Sequence, residues 1–193
     1  MNGFIGVIKR SSAHLSFFAL FGLVFLIGVS GGAFFAAAAQ EGTLSEFAAN
    51  LTYSAEHSAE NLSGIVANSA VSAFVLMITL WLSGFFSKVP CFVLMATVTA
   101  FKGAATGYTI GMLICLYSAK GLALAVAGVL PQYVVLLPTM FVSSAVLLNN
   151  FAGTPLKRTL KGRGILLVLM LSAGGISAFV DAVVCGRIIK LLF

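Results

Sequence analysis

The sequence predicts an all-α fold, a polytopic bundle of about five transmembrane helices, and three observations predict it. Hydrophobic residues fill 60% of the 193 positions and charged residues only 8%, whereas a soluble domain holds roughly 45–50% apolar and about 25% charged residues. The mean hydropathy is +1.10. Long apolar runs alternate with short polar stretches, and a chain in lipid satisfies its own backbone as helices or a closed barrel. These features exclude a soluble globular enzyme, a disordered chain and a nucleic-acid module with a solvated basic face. Membrane lipid is the expected surroundings, and no nucleic acid is expected as a partner.

A crossing needs roughly 20 apolar residues, which places spans at about 13–39, 65–86, 90–117, 122–148 and 165–186 in one integral membrane domain, residues 1–193. A short basic start carries Lys9 and Arg10. The first run ends in Ala37-Ala38-Ala39, a small-residue pattern that fits signal cleavage. It is nevertheless about twice as long as the 7–15 residues of a signal core, so an uncleaved span is expected. Residues 40–64 form an outer acidic loop with four of the five acidic residues, Glu41, Glu46, Glu56 and Glu60. In it, Leu44, Phe47 and Leu51 have the spacing of a short amphipathic helix lying along the membrane surface.

After the second span, Ser87-Lys88-Val89-Pro90 reads as a tight turn, with proline suited to the first turn of the next helix. The run Cys91–Tyr117 is longer than a bilayer core, so it tilts or breaks near Phe101-Lys102-Gly103. Ser118-Ala119-Lys120-Gly121 reads as an outer turn. The fourth segment carries Pro131 and Pro138 in its interior, each removing a backbone donor. A cytoplasmic basic loop, 149–164, then precedes the last span.

The net charge of +6 is distributed unevenly. Lys9, Arg10, Lys157, Arg158, Lys161 and Arg163 read as topology anchors, because short basic loops stay cytoplasmic. With Lys88 they put seven basic residues inside, against Lys120, Arg187 and Lys190 outside and Lys102 within the membrane. The bias favours a cytoplasmic N-terminus and an outward C-terminus, and a re-entrant third or fourth segment would reverse the latter.

No nucleophile and base stand together, so no catalytic residue is assigned and an enzyme is not expected. Cys91, Cys115 and Cys185 sit in apolar runs without Cys-x-x-Cys spacing, which suggests neither a disulfide nor a zinc site. The histidines are His14 and His57. His57 with Glu56 and Glu60 has metal-ligand spacing on a helix, but an open polar loop makes them solvated residues, so neither metal nor cofactor is expected.

Three features rise above this background. Gly103, Gly107 and Gly111 stand four apart, as do Gly28 and Gly32, and such glycines give a flat helix face that another helix approaches closely. Lys102 and Asp181 lie inside apolar runs, where a charge needs a partner, a cavity or the interface, and they are a candidate pair. Pro131, Gln132 and Pro138 mark a break or kink whose freed carbonyls need partners.

The stretch Phe101-Lys102-Gly103-x-x-x-Gly107-Tyr108-Thr109-x-Gly111, followed by Val129-Leu130-Pro131-Gln132, resembles the signature of the stage II sporulation protein M family. The layout of a basic start, one outer loop, a glycine-rich third segment, a proline-broken fourth and a basic loop is similar as well. The resemblance implies a multi-pass protein of the bacterial cell membrane, acting in the mother-cell membrane at the sporulation septum during engulfment. It further implies a non-catalytic scaffold for two peptidoglycan hydrolases, a lytic transglycosylase and an amidase/endopeptidase. Wider relatives carry Pro-His-Gly and a downstream Glu where this chain has Gln132, Tyr133 and Leu136, a departure that weakens any intramembrane acid–base site. The expected mechanism has the 40–64 loop meeting the hydrolases and the glycine ladder packing the bundle or a partner's anchor helix. The alternative is a membrane subunit of a small-molecule transporter, with Lys102, Gln132 and Asp181 as polar lining. An intramembrane protease lacks its catalytic constellation.

Overall fold

The computed structural model describes the backbone of residues 2–57, 62–148 and 156–192, and no strand occurs among them. In chain order the elements are α1 (Asn2–Ala37), α2 (Glu41–His57), α3 (Leu62–Ser83), α4 (Lys88–Tyr117), α5 (Ala119–Leu124), a π-helical turn (Ala125–Val129), α6 (Leu130–Val146) and α7 (Leu156–Leu192). Three stretches are long and apolar enough to cross a membrane: Ser16–Ala37, Lys88–Tyr117 and Gly162–Asp181. The pair formed by α5 with the π turn and α6, bent by 54°, is a fourth if taken as one span. The apolar part of α3, Ser69–Ser83, is shorter.

Apolar side chains occupy both the inside and the outside. Phe21, Met77, Leu80, Met95, Met140, Leu147 and Met170 are buried, while Leu26, Ile27, Phe34, Phe35, Phe101 and Val134 face outward. An outer surface of this kind is compatible with lipid as the solvent. The many buried methionines are unbranched and fill irregular gaps between helices.

Helix α1 lies along α4, and α7 packs against α3 and α6. The expected tilt or break at Phe101–Gly103 resolves as one continuous helix. Its threonines suit an apolar environment, because Thr97, Thr99 and Thr106 donate to the carbonyls of Val93, Met95 and Lys102, four residues back. Pro90 is the third residue of α4, a position whose N–H has no helical acceptor in any case, and Pro131 is the second residue of α6, which continues directly from the π turn. The π turn immediately before Pro131 ends one helical register and begins another. Pro138 alone lies inside a helix.

Two stretches read as loops are largely helical. Most of residues 40–64 is α2, which leans on the bundle through Phe47, packed with Leu113, Leu124 and Ala125. The basic stretch read as part of the 149–164 loop begins α7 at Leu156. Glu60 and residues 149–155 lie outside the described residues.

Candidate functional site

The two glycine motifs face each other. A β-carbon at Gly28 would meet the Ala100 carbonyl oxygen, and one at Gly32 the Ala104 carbonyl oxygen. From the other side, β-carbons at Gly103 and Gly107 would meet the carbonyl oxygens of Phe25 and Val29. At Gly111 the neighbour is the Ala36 methyl, 2.6 Å away. Backbone therefore lies on backbone over three turns, where a side chain on either face would force the helices apart. Gly31, next in sequence to Gly32, has nothing within 4 Å. The sequence left open whether the ladder's partner belonged to this chain, and here it is α1.

Polar groups cluster beside the glycine face of α4. Thr106 Oγ1 stands 2.6 Å from the Tyr133 hydroxyl and 2.8 Å from the Lys102 carbonyl oxygen. Each hydroxyl has one proton, so Tyr133 donates to Thr106 while Thr106 donates to the carbonyl. The Lys102 ammonium lies 5.7 Å from the centre of the Tyr133 ring, within cation–π range. Tyr133 itself is 7% exposed and packs on Phe25 of α1. The start of α6 is thus tied to both helices of the glycine pair.

The two charges inside apolar runs go to different partners. Asp181 accepts a hydrogen bond of 2.7 Å from Ser69, joining α7 to α3, while Lys102 faces Tyr133. One turn before Asp181, Ser177 donates at 3.1 Å to the Gln132 carbonyl oxygen, so the residue after Pro131 is bonded through its backbone.

At the opposite end of the bundle, Arg163 is 2% exposed within α7. Its guanidinium sits 4.7 Å from the centre of the Phe85 ring, and its carbonyl accepts a 3.0 Å bond from the Trp81 indole N–H. Trp81 and Phe85 pack edge to face. A residue read as a topology anchor is therefore also part of the α3–α7 contact. Arg163 is the eighth residue of α7, and its side chain is buried there against the Phe85 ring.

The side chains of Lys9, Arg10, His14, Glu56, His57, Lys157, Arg158, Lys161, Cys185, Arg187 and Lys190 lie outside the described residues. Among the described residues no three His, Cys, Asp or Glu side chains converge to hold a metal. Sequence reading named Tyr133 only as a departure from the wider family's pattern and did not single out Thr106, Ser69, Ser177 or Trp81. Hydroxyls and aromatics in apolar runs carry no periodic signal, and their partners lie 27 to 112 positions away.

Comparison with protein-family models, with curated proteins and with solved structures finds no match to this chain.

Proposed function

We propose that the chain is a non-catalytic membrane scaffold that gathers peptidoglycan-degrading enzymes at the mother-cell membrane during forespore engulfment. The observation that carries the reading is the stretch Phe101–Gly111 with Val129–Gln132. This stretch resembles the sporulation M family, and its glycines form the tight α1–α4 pairing. A rigid core of this kind suits a protein whose task is to hold others in place. The chain crosses five times, through α1, α3, α4, the bent α5–α6 pair and α7, with α2 on the outer face. The exposed carboxylates Glu41 and Glu46 of α2 face outward from the bundle, where a hydrolase's membrane-proximal part meets them.

The transport reading receives less support, because the Lys102 side chain faces the Tyr133 ring while Asp181 is bonded to Ser69, so the two charges do not share one partner. The test is complementation of a spore-forming host that lacks its own member of the family, with affinity purification from sporulating cells. Restored engulfment with a lytic transglycosylase and an amidase/endopeptidase co-purifying supports the scaffold. Neither rescue nor hydrolase capture from a well-expressed, membrane-inserted chain rejects it.

A further inference from the structure

A shallow groove of about 430 Å³ runs between α3 and α4, with Ser72, Val75 and Thr79 on one wall and Thr97, Phe101 and Lys102 on the other. Its lining is mostly apolar or small, as in surfaces on which membrane helices pack, and a row of helix side chains fits such a furrow as ridge into groove. A fully apolar furrow would simply be filled by lipid. This one holds a charge.

Lys102 is the one ammonium in the lining, and among the described residues no carboxylate is paired with it, Asp181 being bonded by Ser69. The Tyr133 ring supplies a weak partner only. Lys102 lies 14 residues after Lys88 and 15 before Tyr117, about 21 and 22.5 Å along the axis at 1.5 Å per residue. It is therefore near mid-span, while lipid phosphates lie beyond a hydrocarbon core about 30 Å thick. A headgroup at that distance does not reach it, whereas a helix can carry a carboxylate at any depth. A second copy of the chain is a poor source, since the four glutamates lie in or next to α2 and Asp181 is already engaged.

We propose that the α3–α4 groove receives the transmembrane helix of a partner protein, which presents a mid-span acidic side chain to Lys102. The inference rests on the scaffold reading for the kind of partner, a membrane-anchored protein. The groove supplies packing and Lys102 supplies selectivity, because an unpaired charge of either sign in lipid is costly and the pair relieves both.

The test uses the full chain in zwitterionic lipid vesicles and a dye-labelled Leu/Ala single-span peptide with one central Glu. Its controls are the same peptide with Gln, and with Glu moved to one end. The central-Glu peptide should bind at least tenfold more tightly than both controls. Lys102→Met should bring that preference to within twofold, and Lys102→Glu should transfer it to a central-Lys peptide. Ala105→Phe, which fills the groove, should weaken all peptides alike. Equal binding of the Glu and Gln peptides to the unmodified chain would overturn the proposal, as would a preference that survives Lys102→Met. So would selective retention of anionic lipid, lost in Lys102→Met, without peptide selectivity. The probe contains no hydrolase, so this result and the complementation result fail independently.

Discussion

Val29 presents its carbonyl oxygen where a β-carbon on Gly107 would stand, so α1 and α4 keep their spacing only while that position is glycine. Gly107→Ala and Gly32→Ala should each destabilise the protein by about 1–3 kcal/mol, the usual cost of overpacking. Gly31→Ala, on the open side of the same helix, should be neutral or slightly stabilising. Thermal unfolding of the three variants in one detergent checks the register residue by residue.

The glycine spacing itself was legible, because small residues four apart define a flat face whatever that face meets. Its partner was not, since pairing Gly28 and Gly32 with a ladder more than 70 positions later depends on how the chain returns. The fourth segment's break was readable from Pro131, whereas for α4 the sequence left a tilted continuous helix and a broken one both open. Lys102-Gly103 resembles an interruption in sequence, but its glycine serves close approach to Phe25. The burial of Arg163 was not legible for a related reason. A cluster of basic residues with glycines reads as loop, yet in the fold it occupies the first turns of a helix, and Phe85 and Trp81 make its burial tolerable.

The 2.6 Å contact between Thr106 and Tyr133 should behave as a coupled pair. Thr106→Val and Tyr133→Phe should each cost about 1 kcal/mol, with a coupling energy of about 0.6–1.7 kcal/mol in the double variant. A double-mutant cycle by denaturant titration measures it.

Arg163 should matter more for stability than for orientation. Arg163→Gln removes the guanidinium from Phe85 and should lower stability by roughly 1–2 kcal/mol, and compartment reporters should be unmoved. Replacing Lys157, Arg158 and Lys161 together should do the opposite, disturbing insertion with a smaller change in unfolding. Unfolding curves and tag accessibility on the same variants separate the two roles.

Ser118 links α4 to α5 with φ of 50° and ψ of −123°, a conformation that glycine adopts more easily. Ser118→Gly should therefore stabilise by about 1 kcal/mol. Three residues on, a β-carbon at Gly121 would meet the Leu113 carbonyl oxygen, so Gly121→Ala should destabilise by about 1–3 kcal/mol. Opposite signs within four residues, read by the same melting assay, test the geometry of this corner.

The most direct test of the account is the side of the membrane on which each end of the bundle lies. Cys91, Cys115 and Cys185 are replaced, and single cysteines are introduced as Thr52→Cys in α2 and Gly162→Cys in α7, both exposed positions. A membrane-impermeant maleimide applied to intact cells should label position 52 at once and position 162 only after the membrane is opened. Labelling of both positions in intact cells, or of neither, would contradict the account.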